Sequence, residues 1–315
     1  MKITGTFLDE ITHDIPSNNW GKKDWEEEFA IMKSIGIDTV IMIRAGYKKI
    51  ATFASKVLQK KMDIFPVYAD LVDMFLELSE KNEMSFFFGT YDSGQFRLDH
   101  NPQKEIDIAL PFIDEVWQRY GHRKAFKGWY LTYELGKKEQ DSLKCLREVG
   151  THCKQAGGNL PILISPYLHG AKQFKDPITI EQHQADWDEM LSQLRGIVDI
   201  VAFQDGQVGF DVLPDYLEVN RMLIEKYDMT AWSNLETFDR DMPFNFPPID
   251  WRKLYWKLLA TEKAGMEKVI TFEFSHFMSP KSSWPAAKHL FNRYCEHLEA
   301  VTKTCKPIIR GISSK

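Results

Sequence analysis

Two glutamates close apolar, aromatic-rich runs: Glu134 in KGWYLTYELG (residues 127–136) and Glu236 in WSNLETFD. Side chains of a strand alternate between its faces. Tyr130, Thr132 and Glu134 therefore share one face, and Trp129, Leu131 and Tyr133 the other. Asn234 and Glu236 are paired in the same way. Two carboxyls facing one another across a cleft can break a glycosidic bond: one protonates the leaving oxygen, and the other attacks the anomeric carbon or activates water. Glu134 suits the acid/base role. Glu236, with the Asn234 amide on its face, suits the nucleophile or base, and Glu273 competes for that second role. Any one of these acids could instead cap a helix or pair with a neighbouring base, but three of them phased inward favour chemistry.

Other chemistries find less support. There is no GxSxG elbow, P-loop or HExxH helix. His13 and Asp14 resemble a metal pair only superficially, with no HxH after the first strand. No metal and no cofactor is expected. A set drawn from Glu134, Asp205, Glu236 and Glu273 could hold Mg²⁺ or Mn²⁺ in a sugar isomerase or lyase, the third-ranked reading. Four cysteines without CxxC spacing read as buried free thiols.

The elements that must position these residues follow from periodicity. Eight β-rich runs, ITGTFL, DTVIMIR, MSFFFGTY, GWYLTYE, PILISPY, DIVAFQ, TAWSNLE and KVITFEF, alternate with amphipathic helical patterns from KDWEEEFAIMKSIG to WPAAKHLFNRYCEHLEAV. Eight strands each followed by a helix predict an α/β fold, a single-domain (β/α)8 TIM barrel over residues 1–301 with a peripheral tail at 302–315. A dinucleotide-binding sheet would want GxGxxG after its first strand, and FLDEITHDIPSN has none.

Barrel enzymes carry their chemistry at the C-terminal ends of the strands. Those ends offer Asp9, Arg44, Tyr91, Asp92, Tyr167, His169, Gln204, Asp205, Asn234, Glu273 and His276 as substrate-binding candidates. Trp232 joins them, and with Trp20, Trp284 and Phe277 it forms a candidate sugar-stacking set.

Bulk properties bound the partners. A formal charge of −5 and a pI near 6.0 provide no basic stripe for nucleic acid. No run is long enough to span a membrane, and no obligate protein partner is evident. MKITGTFLDE opens directly as a strand, so the chain reads as cytoplasmic, or as exported if a leader has been removed. The expected partner is a carbohydrate.

The segments ITGTFLDE, WEEEFAIMKSIGIDTVIMIRAGY, FPVYADLVDMFLELSEKNEMSFFFGTYDSG and GWYLTYELG resemble bacterial proteins grouped as domain-of-unknown-function family 4434, which look like glycoside-hydrolase barrels. The resemblance implies a (β/α)8 barrel and carbohydrate processing, often in exported proteins. The placement of Glu134 and Glu236 is also similar to retaining glycosidases with the acid/base on strand four and the nucleophile on strand seven. One departure is that Tyr133 stands where those enzymes often have Asn. The expectation is a metal-independent glycoside hydrolase, the alternative a carbohydrate-binding barrel without catalysis.

Overall fold

In the computed structural model, residues 1–11, 15, 19–94, 96–241 and 246–302 are described. Eight parallel strands form a closed barrel: β1 (Ile3–Leu8), β2 (Thr39–Met42), β3 (Ser85–Gly89), β4 (Phe126–Leu131), β5 (Ile162–Ile164), β6 (Ile200–Gln204), β7 (Thr230–Glu236) and β8 (Lys268–Phe272). Each pairs with the next, and β8 returns to β1. The helices of the outer ring are α1 (Lys22–Ser34), α2 (Leu71–Lys81), α3 (Pro102–Tyr120), α4 (Gln140–Ala156), α5 (Ile180–Leu194), α6 (Leu213–Lys226), α7 (Trp251–Lys263) and α8 (Pro285–Thr302). The fold is a (β/α)8 TIM barrel.

Local chemistry starts several of these helices. Asp70, Thr179 and Asp250 accept hydrogen bonds from the first-turn amides of α2, α5 and α7, satisfying donors that a helix cannot pair internally. Pro102 opens α3, where a missing N–H costs nothing.

Strand alternation divides the core in two. Phe7, Ile41, Phe87, Tyr130, Leu163, Ala202, Trp232 and Ile270 point inward and fill the barrel. Trp129, Leu131 and Tyr133 point outward to the helices, with Trp25, Phe75, Phe112 and Trp187. The alternation expected for GWYLTYE is therefore present, but β4 ends at Leu131, short of Glu134. The Glu134 amide donates to the Thr132 carbonyl at 3.0 Å, so the chain turns off the ladder there. β5 is only three residues long. Pro161 and Pro166 flank it, and proline cannot donate to a ladder.

After β2 the chain makes an excursion through two short strands, Gly46–Tyr47 and Ile50–Ala51, and a helix, Lys56–Met62. Tyr91–Asp92 joins those strands in a small separate sheet. Cys145, Cys153 and Cys295 are buried. His13, Asp14, Cys305 and residues 303–315 of the expected tail lie outside the described residues, while α8 itself reaches Thr302. Among the described residues no helix is long and apolar enough to cross a membrane.

Candidate active site

A cavity of about 220 Å³ opens at the C-terminal ends of the strands. Its polar wall comprises Arg44, Glu134, Tyr167, Gln173, Gln204, Asn234, Glu236 and Arg240, and its apolar wall Ile15, Ile43, Phe238, Phe246 and Phe272. Six sequence candidates meet here: Arg44, Glu134, Tyr167, Gln204, Asn234 and Glu236.

Glu236 ends β7 and is held from several directions. Arg240, in the irregular segment after β7, reaches back and grips both oxygens, Nη2 to Oε1 at 2.6 Å and Nε to Oε2 at 2.8 Å. Gln207 Nε2 donates to Oε1 at 3.1 Å. Two parallel charged bonds fix the plane of a carboxylate as well as its position. The backbone is fixed too: Glu236 N donates to Asp205 Oδ1 at 2.9 Å, and Lys257 Nζ bridges Asp205 Oδ1 at 2.7 Å and the Glu236 carbonyl at 3.2 Å. Burial raises the Asp205 carboxyl, and Lys257 offsets this only in part.

Glu134 stands in the loop after β4 and accepts from Tyr130 Oη at 3.0 Å. This is the inward tyrosine of the same strand, so the barrel interior orients the carboxyl. Gly136 follows: a Cβ there would lie 2.2 Å from the Tyr167 ring, which occupies that space beside the cavity. Asn234 Nδ2 donates to Ser165 Oγ at 2.9 Å, and Gln204 Nε2 to the Ser165 carbonyl at 2.9 Å. Asn234 Oδ1 and Arg44 Nε are buried with no hydrogen-bond partner among the described residues. Burial opposes the Arg44 charge, and Glu134, Asp92 and Asp9 more than offset it, raising its pKa.

Eight further candidates do not line the cavity. Tyr91 is fully buried and donates to the Lys48 carbonyl at 2.6 Å, because it belongs to the small sheet. Asp92 accepts from Gly94 N at 2.7 Å and closes a turn. Asp9 accepts from Ile11 N at 3.0 Å. His169 is stacked on Phe174 at 3.8 Å, and Asp205 sits behind Glu236. Trp232 lies at the opposite end of the barrel, paired in register with Lys268, the first residue of β8, and its ring packs in the interior. Glu273 is fully buried and caps a short helix, Phe274–Phe277, by accepting from the amides of Ser275 and His276. The His276 ring is bonded to the same carboxyl. Glu273 is thus a structural cap and leaves Glu236 as the second carboxylate of the cavity. Of the candidate stacking residues, Phe277 is buried and Trp20 packs edge-on against Trp25. Trp284 borders a separate groove with Pro247 and Pro248.

Sequence reasoning missed Arg240, Gln207, Gln173, Lys257 and the apolar wall. Arg240 carried no readable signal, because the four-residue spacing pairs charges along a helix and Glu236 ends a strand with a non-helical segment after it. Beyond the cavity, Glu10 follows Asp9 and is pushed up to about 7, chiefly by burial and further by Asp9 and Glu273, against the opposing pull of His276.

The family described as "Domain of unknown function (DUF4434)" matches residues 3–284. A Bacteroides thetaiotaomicron VPI-5482 crystal structure described as a "putative alpha-L-fucosidase" is 47% identical, with 95% of this chain and 93% of that one covered and a TM-score of 0.92. An endo-1,4-beta-D-mannanase from Thermotoga petrophila RKU-1 has a TM-score of 0.55 at 10% identity, covering 93% of this chain and 99% of that one. An intracellular xylanase from Thermoanaerobacterium saccharolyticum JW/SL-YS485 has 0.51 at 10%, covering 85% and 84%. The last two are similar in fold alone. No curated protein matches the chain.

Proposed function

The chain belongs to the family described as Domain of unknown function (DUF4434), and from the site it carries we propose that it is a metal-independent glycoside hydrolase acting on a glycan or glycoconjugate. The observation that carries this reading is that Glu134, in the loop after β4, and Glu236, at the end of β7, line one cavity. Glu134 is the acid/base: it protonates the leaving oxygen and later takes a proton from water. Glu236 attacks the anomeric carbon, forming a glycosyl–enzyme bond that this water then hydrolyses; in the inverting alternative Glu236 itself takes the proton of the attacking water and Glu134 acts as acid only. Arg240 and Gln207 keep its carboxylate aimed, so no reorientation is needed at the moment of reaction. Asn234 Oδ1 and Arg44 Nε supply an acceptor and a donor for sugar hydroxyls. The 47% identical Bacteroides protein is described as a putative fucosidase, and a glycosidase reading of this chain agrees with that description.

The test is product release, followed by mass spectrometry, from a panel of bacterial, plant and host glycans. Cleavage by wild type should survive a chelator and fall by about 10²–10⁴-fold in Glu134→Gln. Turnover retained in that variant would remove the assignment. A second reading, a carbohydrate-binding barrel without catalysis, is favoured by one observation: Arg240 already ion-pairs Glu236. Glycan binding without cleavage across the panel would select it.

A further inference from the structure

The net charge of −5 is unevenly distributed. Residues 45–68, the excursion after β2, hold five lysines (Lys48, Lys49, Lys56, Lys60 and Lys61) against one acid, Asp63, a charge of +4 that leaves −9 for the rest of the chain. All five lysines are exposed. The same stretch carries three large apolar side chains that face solvent: Ile50 is 46% exposed, Phe65 60% and Tyr68 79%. Tertiary structure brings the two sets together. The hairpin of Gly46–Tyr47 and Ile50–Ala51 turns through Lys48 and Lys49, and Phe65 N donates to the Lys49 carbonyl at 2.8 Å, which seats Phe65 at the hairpin tip. Asp63 pairs with Lys49 at 3.1 Å. Lys60 and Lys61 lie in the last turn of the helix Lys56–Met62, just before Phe65. Glu115 of α3 accepts from Ser55 and from the amides of Lys56 and Val57, at the opposite end of that helix.

Lysines beside exposed aliphatic and aromatic groups match an anionic bilayer in both respects. The ammonium heads meet lipid phosphates, and the apolar groups enter the boundary between headgroups and acyl chains. A soluble acidic glycan supplies the charge but no apolar phase, and the side chains of Ile50 and Phe65 have no polar atom with which to bind its hydroxyls. We propose that residues 48–68 form a peripheral docking surface for bilayers containing anionic lipid, with Ile50, Phe65 and Tyr68 entering the interface and the lysines supplying the attraction. Tyr47 pairs across the hairpin with Ile50, and its ring lies 5.3 Å from the guanidinium of Arg44, a wall residue of the cavity. The docking surface thus begins at the edge of the cavity, and docking brings the cavity to the bilayer.

Flotation of the full chain with vesicles tests this, using phosphatidylcholine alone and phosphatidylcholine with phosphatidylglycerol in equal parts. Partitioning should be about tenfold or more stronger on the mixed vesicles and should weaken as salt is added. A lysine near the surface contributes about fivefold, so joint Lys60→Gln and Lys61→Gln should weaken partitioning by about tenfold or more. Joint Phe65→Ser and Tyr68→Ser should weaken it to a similar degree, about tenfold, while sparing the preference for anionic vesicles. All four side chains are exposed, so both variants should keep the wild-type circular dichroism spectrum. Equal partitioning on the two vesicles overturns the proposal, as does a preference that both variants leave unchanged. If polygalacturonate binding, or a dimer seen by light scattering, responds to the same substitutions and vesicles do not bind, the proposal is overturned and the surface belongs to that partner. None of these outcomes touches the glycosidase reading, which stands or falls on product release from the glycan panel.

Discussion

Gly206 has no room for a side chain. A Cβ there would lie 1.7 Å from Glu236 Oε2 and 3.0 Å from Arg240 Nε, so the carboxylate and its guanidinium partner occupy the volume a methyl would need. Gly206 does not take a left-handed backbone conformation, and the constraint is therefore steric only. Gly206→Ala should fold, because the clash falls on side-chain ends, yet swing Glu236 out of aim. A misplacement of about 1 Å can cost on the order of a hundredfold in rate. The expected outcome is a loss of that size in kcat on any cleaved glycan with a retained circular dichroism spectrum, and an unchanged kcat would show that Glu236 does not act in the chemical step. The residue pattern around Glu134 and Glu236 was legible in the sequence because inward phasing at strand ends is a local property. Gly206 was not: its neighbour Glu236 is remote in the chain, and only the pairing of β6 with β7 brings them together.

The elements repeat this division. All eight strands and the eight ring helices follow from periodicity, since each side-chain pattern reports one face packed on the core. Strand ends were less legible, because turns are set by single hydrogen bonds such as Glu134 N to Thr132 O. The supporting charges were invisible for a different reason. Lys257 reads as one more polar residue of an amphipathic helix, but it is buried on α7 and pairs with Asp205 at 2.7 Å. Removing one partner of a buried pair leaves an uncompensated charge, typically costing about 3–5 kcal/mol. Lys257→Met should lower stability by about that amount in a denaturant titration, and adding Asp205→Asn should recover a substantial part. Equal losses in the single and double variants would show that the pair is not coupled.

At the scale of the whole molecule, three carboxyls are raised from 4.5, burial being the largest cause: Glu28 to about 8, Glu10 to about 7 and Glu105 to about 7. Glu28 accepts from Ser279 Oγ at 2.7 Å, tying α1 to the segment after β8. The folded chain keeps protons that the unfolded chain releases above about pH 4.5. Stability from these groups is thus fully present below that pH and declines as pH rises through 7 and 8. His183, depressed from 6.5 to about 4 by burial, acts the other way: its contribution is lost as pH falls below 6.5. Between pH 6.5 and 8 only the carboxyl effect remains. Thermal stability should fall over this window, with up to about 2 kcal/mol from Glu28 alone. Glu28→Gln should flatten the fall in a calorimetric series, whereas an unchanged slope would remove Glu28 from the account. The composition had indicated an acidic globular chain, but which acids are buried depends on the tertiary packing of α1, α3 and β8.

The barrel interior is filled from wall to wall by Phe7, Ile41, Phe87, Tyr130, Leu163 and Ile270, each at most 5% exposed. Among the described residues these side chains close the axis beneath Glu134 and Glu236, so the cavity has a floor. Glycan, attacking water and released sugar must then all come and go at the C-terminal face of the barrel. If the protein cleaves, a departing sugar blocks the next arrival, and accumulated product competes with substrate for the same space.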